Sequence, residues 1–126
     1  MKKFDPELYV NQASENRIAV IAALIVERGQ IEGRPIRPHI AARATNRLVS
    51  LASSIHAHAV NSCNREVSAQ EETRFENNRE KFAKIAEYLG FGSRTGGDPR
   101  GACAFLIDPK NPNEGDGWGD GWAIYR

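Results

Sequence analysis

The sequence predicts an α+β domain of three helices packed on a small three-stranded antiparallel sheet formed by the C-terminal third. Two observations carry that expectation. Nine of the eleven glycines lie between Gly90 and Gly121, whereas the alanines crowd between Ala13 and Ala86, so helix-compatible composition gives way to turn chemistry. At Phe91 the apolar spacing also changes, from a helical period to alternation. A helical layer on a short sheet buries both patterns.

The first helix is expected to start at Asp5-Pro6, where Asp can accept a backbone N–H and Pro loses no needed donor. It runs towards Arg28, with Gly29 as its stop, although Ser14 offers an alternative restart after a break. Ile18, Ile21, Ala22 and Ile25 form a stripe, but Val20, Leu24 and Val26 place apolar groups on the other side. Such a helix has to be covered on more than one face. A linker, Gln30 to Pro38, carries Gly33, Pro35, Arg34 and Arg37. Pro38 suits the first turn of the second helix, whose stripe of Ile40, Ala44, Leu48, Leu51, Ile55 and Ala59 persists for more than five turns.

Ser68-Ala69-Gln70-Glu71 has the form of a capping box and predicts the start of a third helix. Phe75, Phe82, Ile85, Ala86 and Leu89 share one face, and Gly90 ends it. Residues 91 to 95 and 102 to 108 then read as arms of a hairpin around Gly96-Gly97-Asp98-Pro99-Arg100-Gly101. Trp122 to Tyr125 supply the last strand. The expected organisation is one domain over 1–126: an N-terminal helical extension and linker (1–37), a helix pair (38–90) and the antiparallel sheet (91–126).

Charge and composition narrow the function classes. With 17 Lys+Arg against 16 Asp+Glu, the chain carries a formal net charge of +1. It is no whole-molecule polycation, and phosphate binding has to come from a local cluster. No run of 18 apolar residues appears, and Met1-Lys2-Lys3 leads into Phe4-Asp5-Pro6-Glu7 without an apolar segment, so the expected location is the cytoplasm. There Cys63 and Cys103 are expected as free, packed thiols.

Metal and catalytic chemistry find little support. His56 and His58 point roughly 200° apart on a helix and cannot share one zinc ion; Cys63, seven residues from His56, reads instead as a buried thiol beside a packed histidine. The oxygen-rich loop from Asp108 to Asp120 lacks the alternating register of a calcium loop. No nucleophile elbow is present, and the cysteines lack cationic neighbours in sequence. No metal, cofactor or catalytic residue is expected, and enzyme activity is the weaker reading.

The glycine-rich segments carry more. In Thr95-Gly96-Gly97-Asp98-Pro99-Arg100-Gly101, glycines free backbone N–H groups to turn towards a ligand, and Arg100, with Arg94 from the same hairpin, offers a planar fork for phosphate. In Gly115-Asp116-Gly117-Trp118-Gly119-Asp120-Gly121-Trp122, two indoles stand among residues without bulk, a pattern suited to stacking. Trp122 equally reads as a core residue opening a strand, and Arg100 as a partner of Asp98.

Residues 46 to 126 resemble a group of small tailed-phage accessory proteins. The resemblance rests on Arg47-Leu48, His56, Cys63-Asn64, Gly97-Asp98-Pro99-Arg100-Gly101, Trp118-Gly119 and Gly121-Trp122-Ala123-Ile124. It implies phage origin, action in the host cytoplasm and a counter-defence role. It also implies that Asn64, Asp98, Arg100 and the tryptophans gather in one place, and His56 is counted with them among the expected ligand-binding residues. The expected function is sequestration of a nucleotide-like small molecule, such as a host immune signal, between Arg94, Arg100 and an aromatic wall, without turnover. The alternatives are a protein-targeting inhibitor of a host defence protein, such as an anti-CRISPR, and single-stranded nucleic-acid binding. The apolar excess of the first helix adds an expected homodimer or higher homo-oligomer.

Overall fold

The computed structural model describes residues 6–96, 99–115 and 121–124, with side chains from residue 18 onward. Helices α1 (Pro6–Ile31), α2 (Pro38–Asn64) and α3 (Ala69–Tyr88) precede strands β1 (Gly92–Thr95), β2 (Ala104–Ile107) and β3 (Trp122–Ala123). The strands form one antiparallel sheet in the order β1-β2-β3, so the chain is α+β. It divides into two compact units, residues 1–45 and 46–126, and α2 continues unbroken through the boundary.

In the first unit the helical backbone runs through Ser14 without a restart. It also runs through Gly29, which is not the expected stop. The N–H of Gly33 bonds to the Gln30 carbonyl and that of Arg34 to the Gly29 carbonyl, the paired bonds of a Schellman cap, with Gly33 at φ 71 as its left-handed residue. Gly29 has a different reason to be glycine. A Cβ there would stand 2.7 Å from the Arg34 carbonyl oxygen, so the returning chain needs the bare backbone. Ile21, Leu24 and Ile25 of α1 are buried, and so are Ala41 and Thr45 of α2. The Thr45 hydroxyl is satisfied by donating to the Ala41 carbonyl at 2.8 Å, which removes most of the cost of burying it.

The second unit assembles around apolar faces of α2 and α3. Leu48, Leu51 and Ile55 are buried as their spacing predicts. Ile40, Ala44 and Ala59 are only half-buried, whereas Ala41, Thr45 and Ala52 are buried. Ser68 caps α3 with both bonds of the capping box. Gly90, at φ 87, closes the helix through the Gly90 to Glu87 and Phe91 to Ala86 bonds. Phe82, Ala86 and Leu89 are buried, whereas Phe75 and Ile85 stay half-buried.

The sheet is shorter than the sequence suggests. β2 opens at Ala104 rather than 102, while β3 spans two residues, and Tyr125 lies outside the described residues. Pairing sets Arg94 opposite Phe105 and Leu106 opposite Trp122. Single bonds beyond the strands, Gly96 N–H to the Cys103 carbonyl and Ile124 N–H to the Ala104 carbonyl, extend the ladders. On β1 and β2, Ser93, Thr95, Ala104 and Leu106 face inwards while Gly92 and Arg94 are exposed. β1 lies against α3, and the Thr95 hydroxyl accepts from Arg79 Nε at 2.9 Å, so the inward face is the helix face.

Candidate functional site

Directly opposed residues of an antiparallel pair share a face, and neighbours in one strand do not. Gly92, Arg94, Phe105, Ile107 and Ala123 therefore belong to the outer face of the sheet, and Leu106 and Trp122 to the helix face. Arg94 and Trp122, expected on one aromatic wall, are thus separated by the sheet. The aromatic neighbour of Arg94 is Phe105: the guanidinium lies over its ring, 4.4 Å from the centroid. Arg94 is exposed and Phe105 half-buried, and Arg94 has no carboxylate partner among the described residues. The phenyl face attracts the cation while the side chain as a whole stays exposed.

Arg100 sits in the turn that joins β1 to β2, exposed to solvent. That turn is tied to α2. His56 Nε2 lies 2.7 Å from the Pro99 carbonyl oxygen, which places the proton on Nε2 so that the ring donates. His56 is thereby engaged by the chain itself and acts as an anchor for the residue preceding Arg100. Asp98 and Trp118 lie outside the described residues. Trp122 is half-buried, and its indole N–H, fully covered, has no acceptor among the described residues. Asn64 ends α2, exposed, on an open hollow of about 590 Å³ lined by residues 62 to 67. None of the other expected site residues lines that hollow.

His58 does not accompany His56. It stacks on Phe75 of α3 with ring centroids 4.1 Å apart and planes 10° from parallel, and its Nε2 is 3.2 Å from Glu72 Oε1. Arg79 adds its guanidinium at 5.5 Å from the Phe75 centroid and bonds to Glu76 at 3.1 Å. Phe75 therefore has an imidazole and a guanidinium against its ring and stays half-buried. The sequence did not point to Phe105 as the stacking partner, and Phe75 read only as part of the apolar face of α3. The β alternation from Ala102 to Ile107 contained the signal for Phe105; the α2 to α3 pairing of Phe75 had none.

Neither Cys63 nor Cys103 is in a disulfide, and Cys103 is buried while Cys63 is exposed. The packed thiol expected at 63 is instead exposed, in the last turn of α2. Asp108, nearly buried, accepts from the Lys110 N–H at 3.0 Å and from the Asn111 amide at 3.4 Å, a side-chain turn that orders the loop after β2. Among the described residues no three His, Cys, Asp or Glu side chains come together as a metal-binding group, and no helix is long and apolar enough to cross a membrane.

A bidentate ion pair lies away from the sheet. Arg65 donates two hydrogen bonds to Glu71, at 3.1 and 2.7 Å, while Glu71 also accepts from the Ser68 N–H. Hydrogen bonding from Arg65, followed by that from Ser68, lowers the Glu71 carboxyl to about 2, and the same contact raises the Arg65 guanidinium. The pair closes the link between α2 and α3.

No family model matches the chain, and neither does any curated protein or solved structure.

Proposed function

We propose that the outer face of the sheet binds a nucleotide-like phosphorylated small molecule and sequesters it without turnover. The observation that supports this most is the exposed Arg94, whose guanidinium carbon lies over the Phe105 ring at 4.4 Å from its centroid. It offers a fork for a phosphate and, beside it, an apolar surface for a base or ribose. Arg100 supplies a second cation from a turn that His56 holds in place through Pro99. In the phage setting implied by the resemblance, the ligand is a host immune signal and the site of action the host cytoplasm. The protein then works as a homodimer, a reading supported by Val20 and Ile31 of α1, which remain 47% and 62% exposed.

The test is a thermal-shift panel of adenine nucleotides and cyclic dinucleotides. Ligand at a hundred times its Kd adds about 2.7 kcal/mol, which for a domain of this size raises Tm by several degrees. Arg94→Ala and Arg100→Ala should each abolish the shift while leaving the unliganded Tm nearly unchanged. A panel that moves nothing overturns the proposal. Light scattering checks the second copy, and a monomer mass at tens of micromolar overturns that part.

A further inference from the structure

The charge of this chain is unevenly placed. From Gly33 to Asn64 there is no Asp or Glu, yet Arg34, Arg37, Arg43 and Arg47 all fall there, although the chain as a whole is almost neutral. α2 occupies most of that stretch and has no acidic residue in its first turn, so the positive end of the helix dipole is uncompensated.

His39, Arg43, Arg47, Ser50, Ser54 and Asn61 recur at three- and four-residue spacing and lie along one side of α2. Every one of them is exposed. They sit on a single continuous helix, so their spacing is that of the helix alone. Arg43 and Arg47 stand one turn apart with like charge, an arrangement that opposes helix formation. Neither has an ion-pair partner among the side chains described, those from residue 18 onward.

We propose that this stripe of α2 binds the phosphate backbone of duplex DNA. Arginine and histidine neutralise phosphates, while serine and asparagine donate to phosphate oxygens. The small Ser50, Ser54 and Ala57 let the helix approach closely, and an α-helix has the width of the major groove. The stripe carries no aromatic or large aliphatic side chain. A membrane-surface helix needs that apolar face, and a protein hot spot needs such an anchor. The surface shares no residue with Arg94, Arg100 or Phe105, so its failure and that of the sheet site are distinguishable.

The experiment is fluorescence polarisation of the full chain with a labelled duplex two helical turns long, titrated between about 50 and 200 mM salt. Wild-type protein should bind, with affinity falling steeply as salt rises. Arg43→Gln with Arg47→Gln should weaken binding at least ~10-fold at low salt and reduce the log–log salt slope by about 2. Arg43→Lys with Arg47→Lys should retain most of it. Arg74→Gln with Lys81→Gln removes the same charge from exposed positions of α3 and should leave binding intact. The proposal is overturned if wild-type protein ignores the duplex, if the α3 control loses as much as the α2 variant, or if single-stranded DNA binds more tightly than duplex. It is equally overturned if poly-glutamate or phosphatidylserine vesicles are bound in preference to DNA.

Discussion

At the level of single side chains, hydrogen bonds decide the behaviour of charges more than proximity does. Glu71 receives both guanidinium nitrogens of Arg65 and the Ser68 N–H, and its carboxyl falls from 4.5 to about 2. A folded-state value below the unfolded one means that the unfolded chain takes up the proton first. The contribution of this group is therefore fully present above about pH 4.5 and is lost as pH falls towards 2. In an NMR titration the Glu71 carboxyl should titrate near 2, and Arg65→Ala should bring it back towards the ordinary carboxylate range. A wild-type Glu71 that already titrates in that range would show the pair to be absent. His56 illustrates the same rule differently, since a histidine attractive as a ligand contact spends its Nε2 proton on the Pro99 carbonyl.

At the level of elements, boundaries follow local chemistry wherever a cap forms within one stretch of chain. Ser68 and Glu71 bond reciprocally, and Gly90 takes the left-handed conformation that its two cap bonds require. Gly90→Ala should cost about 1 to 2 kcal/mol, because a Cβ is strained at positive φ. Gly92→Ala is the control. A Cβ there would meet Ile107 at 3.6 Å, ordinary van der Waals contact, and stability should change by less than about 0.5 kcal/mol. Urea unfolding of both variants measures the difference, and equal losses would refute the cap. Gly29 marks where local reading stops: its glycine serves residues 34 to 36 that fold back on it, and no pattern within the helix reveals that return.

For the molecule as a whole, stability rests on a small number of completely covered side chains. In the second unit Phe82, Leu48, Ile55 and Leu106 are each at 0% exposure, and Phe82 is the largest of them. Phe82→Ala should cost about 3 to 5 kcal/mol by leaving a cavity that close-packed neighbours cannot fill. Against a typical total of about 5 to 15 kcal/mol, that is enough to shift the urea midpoint far towards zero. A loss under about 1 kcal/mol would mean that the site collapses around the smaller residue. The whole-chain charge, by contrast, conceals more than it tells, because near-neutrality coexists with an acid-free stretch from Gly33 to Asn64.

Helix number, the capping box, the glycine stop of α3 and the hairpin arms were legible from residues alone, because each depends on hydrogen bonds or periodicities that act over a few neighbouring positions. So was the place of Arg94 on the hairpin, where it is an exposed cation in a strand. Its companion was not. Whether Arg94 meets an indole or a phenyl ring depends on strand register, and a shift of one residue exchanges the two faces of a sheet. The observed pairing of Arg94 with Phe105 and of Leu106 with Trp122 sends Trp122 to the helix side. The stacking of His58 on Phe75, the exposure of Cys63 and the tether from His56 to Pro99 are of the same kind. Each joins, or leaves bare, groups that come together only when separate elements pack, and short-range pattern contains no term for that.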